Sequence, residues 1–441
     1  MTDIIIIGSG PGGYRAAEYA AKKGKQVIVV EESYVGGTCL NCGCIPTKAL
    51  CYHAEVIYSL RKEGSGLKNI EFDIDFESIM KRKNHIVSQL RAGVETLLSQ
   101  PGITLVKGHA TLKNATTVVV DGNEYAAQNI IIATGSSSKM LPIEGITSER
   151  VMTSTELLNI ESIPKRLCIV GAGVIGMEFA SVFSSLGSEV TVVEFLKECL
   201  PAIDIDIAKR LRKNMEKQGV TFFLQSAVKC IKDNQVIFER KGKEISVEAD
   251  VILMATGRKP NIEGLNLESV GINVDRGAIV VDDNMQTSLP GVYAIGDVNG
   301  KQMLAHAATF QGVKAVDHIL GNEDNIRLDI MPAAVFTNPQ IASVGITEDE
   351  CESKGIEYNL HRSYYRANGK ALAVNSTEGL VKLITDNNDH IIGCHVMGAH
   401  AADIVQEVAS LMARGTTRSE LANIVHIHPT LSEVLHDAAM S

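Results

Sequence analysis

Two stretches of this chain carry one pattern, and that pattern leaves little freedom in how either can fold. Residues 3–8 read Asp-Ile-Ile-Ile-Ile-Gly, a continuous apolar run of the kind that forms a strand buried on both faces. Gly8-Ser-Gly10-Pro-Gly12-Gly13 follows, then an alanine-rich helix over about residues 14–23, then a strand over 26–30 that ends in Glu31. Residues 167–171 repeat the device as Leu-Cys-Ile-Val-Gly, leading into Gly171-Ala-Gly173-Val-Ile-Gly176. A helix to about residue 186 and a strand over 190–193 come next, ending in Glu194. Each acid lies 23 positions after the first glycine of its run.

The physical reading of such a run is a turn that accepts phosphate. Its first glycine permits the tight bend, the second lets backbone approach a pyrophosphate, and the third lets helix pack on strand. The helix N-terminus offers free N–H groups and a partial positive charge. A carboxylate at the end of the second strand accepts hydrogen bonds from a ribose diol. One such run is weak; strand, helix, strand and acid in register, twice, predict two dinucleotide-binding units. Glu194 would repel a 2′-phosphate, Phe195 follows it where an arginine would be needed, and Lys197 is the nearest cation in sequence, so NAD(H) is expected over NADP(H).

A second matched pair supports this layout. Asn129-Ile-Ile-Ile-Ala-Thr134-Gly135 and Asp250-Val-Ile-Leu-Met-Ala-Thr256-Gly257 both read as buried strands ending in small-residue turns. Gly291-Val-Tyr-Ala-Ile-Gly296-Asp297 reads as a further strand ending in an acid. Chain order suggests one dinucleotide unit interrupted by another: 1–147, then 148–270, then a return over 271–331, and a last unit over 332–441. That last unit mixes strands over 380–384 and 391–397 with a helix over about 401–414.

Bulk properties narrow the class. At 441 residues the chain exceeds one core, so about two to four domains are expected. A formal net charge of −10 argues against a general nucleic-acid or anionic-membrane binder. The longest apolar runs are strand-length and cannot span a bilayer. The chain enters its first strand directly after Met-Thr-Asp, without the basic and long apolar regions of a secretory signal, so a cytoplasmic location is expected. Nine scattered cysteines, an odd number, fit a reducing compartment. Cys51, Cys168, Cys199, Cys230, Cys351 and Cys394 read as small apolar residues or inert thiols.

Three cysteines stand apart, in Gly36-Gly37-Thr-Cys39-Leu-Asn-Cys42-Gly-Cys44-Ile-Pro46-Thr-Lys48. Pro46 suits the first turn of a helix, and residues 47–61 have helical spacing, so the thiols would lie in the turn entering it. Ideal helix would hold Cys39 and Cys44 too far apart to bond, so an irregular segment is predicted if they pair. Placement at a helix N-terminus would lower a thiol pKa. Cys39 and Cys42 also form a CxxC, and the residues alone leave the 39–42 and 39–44 pairings open. No second CxxC or histidine cluster completes a metal site, so no metal is expected. Near the C-terminus, His428 and Glu433 lie five apart. A carboxylate on one imidazole nitrogen fixes the tautomer, raises basicity and leaves the other nitrogen to take a proton. His426 reads as an ordinary, satisfied histidine.

Taken together, the thiol run, both glycine fingerprints, Gly291–Asp297 and His428-Pro-Thr-Leu-Ser-Glu433 resemble the disulfide-reductase flavoenzymes (the pyridine nucleotide-disulfide oxidoreductases). Among these the chain is most similar to the dihydrolipoamide dehydrogenases. Arg366-Ala-Asn-Gly-Lys-Ala and the run from Ile392 to Asp403 look like C-terminal segments of that group. The resemblance covers the whole chain and implies an α/β fold of two Rossmann-like dinucleotide-binding domains plus a C-terminal α+β dimerisation domain. FAD would bind in the first unit and NAD in the second. Cys39 would be the interchange thiol and Cys44 the sulfur against the flavin, with Lys48 near the flavin ring and paired with Glu178. Glu31 would hold the FAD ribose and Asp297 the ribityl-phosphate region. Gly8, Gly10, Gly12, Gly13, Gly37, Thr38, Thr134 and Gly135 would contact FAD; Gly171, Gly173, Gly176, Glu194 and Gly257 would serve NAD.

The implied reaction is oxidation of protein-bound dihydrolipoamide with reduction of NAD⁺. His428, held by Glu433 and supplied by the second subunit of a homodimer, would be the base. The implied partner is the lipoyl-bearing protein of a 2-oxo acid dehydrogenase or glycine cleavage system, since the chain shows no lipoyl domain of its own. The alternative is another disulfide reductase of the same group, with a glutathione-like substrate. Glu194 and Ile45-Pro-Thr argue against that alternative; the missing C-terminal cysteine pair argues against mercuric and large thioredoxin reductases. The chain departs from the group's pattern at Cys42, usually not a thiol, and at Gln340, usually glutamate.

Overall fold

The computed structural model describes residues 2–441 as two compact units. The first comprises the chain through Ala49, Met80–Lys139 and Gly257–Leu328. Its sheet orders the strands Ile103–Lys107, Val27–Glu31, Thr2–Ile7 and Asn123–Ile132, with Val292–Ala294 paired along the far edge of the last. All of these pairs are parallel, with Ile4 opposite both Val27 and Asn129. The early half of Asn123–Ile132 instead joins an antiparallel meander with Thr117–Val120 and Ala110–Asn114. Residues Ile4 to Ile7 are buried on both faces, as a continuous apolar run in a covered parallel sheet must be.

The first fingerprint helix, Pro11–Lys22, begins earlier than the sequence spacing predicts, because Pro11 occupies its first turn and Gly10 caps it. It runs against the helix Ala305–Leu320 at close range. A Cβ on Gly12 would lie 3.0 Å from the Ala308 carbonyl oxygen, so the absent side chain lets the two backbones meet. The strand expected over 291–297 is shorter, Val292–Ala294, and passes into a tight 3₁₀ turn, Gly296–Asn299, which carries Asp297.

The second unit comprises Leu50–Ile79, Met140–Thr256 and Asp329–Ser441. It holds a five-stranded parallel sheet ordered Thr221–Phe223, Glu189–Val193, Arg166–Val170, Val251–Met254 and Val151–Met152. The second fingerprint helix, Val174–Leu186, is buried along most of its length. An antiparallel trio spans Ser226–Lys232, Gln235–Arg240 and Lys243–Glu248. The C-terminal sheet is antiparallel, ordered Ala333–Val335, Ile341–Gly345, Ile391–Met397, Leu380–Thr385 and Asn359–Tyr364. The helices Ala401–Met412 and Glu433–Met440 bury their apolar faces against it through Ile404, Val405, Val408, Val434 and Leu435. Among the described residues, no helix is long and apolar enough to cross a membrane.

Candidate active site

The thiol segment is built on the first phosphate turn. Gly36 and Gly37 have φ of 94° and 60°, a left-handed backbone that side chains resist. The Gly36 N–H donates to the Ser9 carbonyl at 2.9 Å, and a Cβ on Gly37 would fall 2.6 Å from the Gly10 Cα. Two glycines thus dock a short helix, Gly37–Cys42, directly on the turn Gly8–Gly13. Asn41 holds it there, donating to the carbonyls of Val35 and Gly37 and accepting from Arg91 Nε.

Gly43 breaks this helix at φ −142°, ψ −113°, and a second helix, Cys44–Arg61, begins at once. The Thr47 hydroxyl donates to the Gly43 carbonyl at 2.7 Å and secures the restart. The sequence places both thiols in an entry turn. The structure instead gives Cys39 its own helix and makes Cys44 the first residue of the next. The break at Gly43 is the irregularity that lets two residues five apart meet: the Cys39 side chain is hydrogen-bonded to that of Cys44.

The expected lowering of thiol pKa does not apply to Cys39. Its pKa is raised, first by the hydrogen bond from its sulfur to Cys44 and then by burial, while the Lys48 charge pulls the other way. Two sulfurs in contact titrate as a pair, and a negative charge on one disfavours a second on its neighbour. Cys42 is half-buried and plays no part in this hydrogen bond. Of the remaining thiols, Cys168, Cys199, Cys351 and Cys394 are buried, whereas Cys51 and Cys230 are half-buried. Burial pushes Cys168 up to about 12, which makes it inert.

Both fingerprints show how the phosphate turns are braced. The Glu31 carboxylate, only 8% exposed, accepts from the Ser9 N–H at 2.9 Å, the Ser9 hydroxyl at 2.6 Å and the Ser33 N–H at 2.9 Å. Glu194 does the same, accepting from the Ala172 N–H at 2.5 Å and the Leu196 N–H at 2.7 Å. The acids therefore hold the residue between the first two glycines of each run. A carboxylate has about four acceptor sites, so capacity remains for hydroxyls of a nucleotide. Sequence reasoning missed this second duty, although its signal, a polar or small residue inside each Gly-x-Gly, was present.

The glycines fit a dinucleotide. A Cβ on Gly13 would overlap the Gly8 carbonyl oxygen at 2.0 Å, and one on Gly176 the Gly171 carbonyl oxygen at 2.1 Å, so only glycine permits helix-on-strand packing. A Cβ on Gly173 would meet nothing, leaving that side of the turn open to approach. Neither fingerprint helix has a side-chain cap, so the first-turn N–H groups are free of one. An open cleft beside Glu194 is lined by Phe195, Leu196, Lys197, Ala227, Glu239 and Lys241. Lys241 is a cation that sequence distance did not reveal.

Thr134, Gly135, Gly257 and Asp297 come together through partners that sequence reasoning missed. Thr134 donates through its hydroxyl to the Asn261 carbonyl at 2.7 Å, and the Asn261 amide returns a bond to the Thr134 carbonyl at 3.0 Å. Ser136 donates to Asp297 and accepts from Arg258 Nε at 2.7 Å. The strands Ser136–Ser138 and Arg258–Pro260 pair antiparallel just after the two matched turns, which was the available signal.

In the second unit, His428 Nδ1 lies 2.8 Å from Glu433 Oε1. The other Glu433 oxygen accepts from the Thr430 N–H at 2.8 Å, and that bond, with the imidazole, holds the carboxyl below its ordinary range. The pairing assigns the Nδ1 proton to the Glu433 side and leaves Nε2 as a base. The His428 side chain is 78% exposed. His426 is satisfied, with Nε2 on Glu407 at 3.0 Å and Nδ1 on the Ile424 carbonyl at 3.0 Å. Glu178 is buried in its helix and accepts from the Phe336 N–H at 2.9 Å.

Comparison with known proteins agrees with this arrangement. Residues 2–312 match the family model for pyridine nucleotide-disulphide oxidoreductase, and residues 331–439 match the dimerisation domain of that family. The mitochondrial dihydrolipoyl dehydrogenase of Pisum sativum is 39% identical, over 100% of this chain and 91% of its own. The dihydrolipoyl dehydrogenase of Thermus scotoductus is 40% identical, over 99% of this chain and 96% of its own. The HOCl-induced flavoprotein disulfide reductase RclA from Escherichia coli is similar in structure, with a TM-score of 0.89 at 32% identity over 99% of each chain. The sheets, paired sulfurs and twin glycine turns of this chain thus come with full-length likeness, and the chain belongs to the pyridine nucleotide-disulphide oxidoreductases, enzymes that use FAD and NAD(H).

Proposed function

We propose that this chain is a homodimeric enzyme that oxidises dihydrolipoamide, carried by a separate lipoyl-bearing protein in the cytoplasm, and reduces NAD⁺. The observation that carries the reading is the contact of Cys39 with Cys44 in the helix break built on the first phosphate turn. Likeness over the whole chain to enzymes named dihydrolipoyl dehydrogenase supports the substrate. We assign residues 1–147 and 271–331 to the FAD-binding part, 148–270 to the NAD-binding part and 332–441 to dimerisation. The match of residues 331–439 to a dimerisation domain supports the homodimer.

In the oxidised enzyme Cys39 and Cys44 form a disulfide. His428 Nε2 removes a proton from one dihydrolipoamide thiol, and the thiolate attacks Cys39, breaking the Cys39–Cys44 bond and leaving Cys44 as thiolate. The second substrate thiol attacks the first substrate sulfur, gives its proton to the departing Cys39 sulfur and closes the lipoamide disulfide. Glu433 keeps the imidazole in the right tautomer throughout. Lys48 holds positive charge beside the sulfur pair. Bound FAD supplies the two-electron relay between sulfur and nicotinamide.

The likeness to RclA favours a second reading, reduction of a different disulfide by the same parts. Steady-state assay of the purified holoenzyme separates the two. NAD⁺ with dihydrolipoamide should be turned over far faster than NADPH with glutathione disulfide. The reverse order would discard the lipoamide reading in favour of the second.

A further inference from the structure

The loop that follows Glu194 returns to the phosphate turn. Leu200, buried and held at φ +50°, donates its N–H to the Ala172 carbonyl at 2.9 Å. Ala172 is the residue whose own N–H is bound by Glu194. Halfway along, Glu198 is held by Arg212 through two bonds of 2.7 and 3.0 Å. The loop ends at Asp204, which is fully buried and caps the helix Ile205–Lys217 by accepting from the N–H groups of Asp206 and Ile207.

Asp204 is gripped from the C-terminal sheet. Lys382, fully buried in the strand Leu380–Thr385, donates to both Asp204 oxygens at 2.8 and 2.7 Å. The same ammonium lies 2.6 Å from Glu348, which is also met by Arg362 at 3.5 Å and by the Tyr358 hydroxyl at 3.1 Å. Burying an ammonium between two carboxylates is a costly way to join two elements. Well-packed apolar residues do it as well or better, so what the ion pair adds is direction.

We propose that Lys382 is a positioning residue for the pyridine nucleotide. By orienting Asp204 it sets the end of the 195–203 loop, and through Leu200 the loop sets Ala172 and the Gly171–Gly173 turn. The C-terminal sheet, matched to dimerisation, thereby reaches the nucleotide turn. The inference rests on the second fingerprint holding NAD(H) and is independent of which disulfide the enzyme uses.

NADH affinity tests it, read by nucleotide fluorescence on the FAD-loaded enzyme held fully reduced, so that binding is not coupled to electron transfer. Lys382→Met and the charge-balanced pair Lys382→Met with Asp204→Asn are compared with the parent chain. The expected result is about a tenfold loss of NADH affinity, within the range by which residues that do not touch a ligand alter its binding. The KM for the disulfide or dithiol substrate, the flavin content and kcat at saturating nucleotide should stay within about twofold, well inside that effect. An unchanged NADH affinity in a folded variant overturns the proposal. So does a parallel loss of every parameter, which would mark the ion pair as structural only. Hydrogen exchange on the parent enzyme gives a reading that needs no variant. NADH should slow exchange at Leu200, Asp206 and Ile207; protection confined to Ala172 would defeat the idea.

Discussion

Cys39 and Cys44 share a hydrogen bond but have different surroundings. Cys39 is half-buried on its own short helix, and Cys44 opens the next helix with an exposed sulfur. Replacing Cys44 by serine should remove the long-wavelength absorbance of thiolate against oxidised flavin in the half-reduced enzyme. If that band survives Cys44→Ser, the role belongs to Cys42. His428→Gln keeps a hydrogen-bonding group toward Glu433 but leaves no base, so kcat with dihydrolipoamide should fall by about 10²–10⁴. A loss under tenfold would place the proton acceptor elsewhere. Glu194 should make NADH at least about tenfold better than NADPH in kcat/KM, a difference of about 1.4 kcal/mol. Lys197 and Lys241 in the adjoining cleft are the groups that would erode it, and comparable efficiencies would show that they do.

The thiol helix and the phosphate turn behave as one element because two glycines bring their backbones together. Gly37→Ala would press a methyl group against the Gly10 Cα at a left-handed backbone position. We expect a loss of roughly 1–3 kcal/mol in stability from this overpacking. The FAD to protein absorbance ratio should drop with it. Full flavin retention with an unshifted unfolding midpoint would show that the two backbones do not need this close approach. The run of 36–48 suggested a helix near Pro46. Only the folded chain reveals two helices split at Gly43, since a break depends on what the flanking turns dock against.

At the scale of the molecule, stability should depend on pH through the C-terminal sheet. His395 is buried opposite Lys382 in the antiparallel register, and its Nε2–H donates to the Ile346 carbonyl at 2.8 Å. Among the described residues its Nδ1 has no hydrogen-bond partner. Burial, joined by the Lys382 charge, lowers its pKa below the ordinary 6.5, although the Ile346 bond and Asp204 oppose this. The folded protein therefore keeps the ring neutral where the unfolded chain binds a proton. The stability is fully present above about pH 6.5 and is lost as pH falls through the lowered value, by at most about 1.4 kcal/mol per pH unit for one proton. Thermal midpoints measured from pH 7 to pH 5 should fall more steeply for the parent than for His395→Gln. Parallel slopes would remove His395 from the account.

The two βαβ units, their acids and the sulfur-bearing segment could be read from residue order alone. Buried parallel strands need unbroken apolar runs, and a phosphate turn needs glycine at set intervals, so local chemistry leaves a local trace. The C-terminal strands over 380–384 and 391–397 were legible for the same reason. Contacts between residues far apart in the chain leave no such trace. The choice of Cys44 over Cys42 beside Cys39, the brace of Ser136 and Arg258 around Asp297, and the hold of Lys382 on Asp204 were decided only by tertiary structure. In each case the partner is selected by where a distant backbone comes to rest, which depends on packing of whole elements and not on spacing along the sequence.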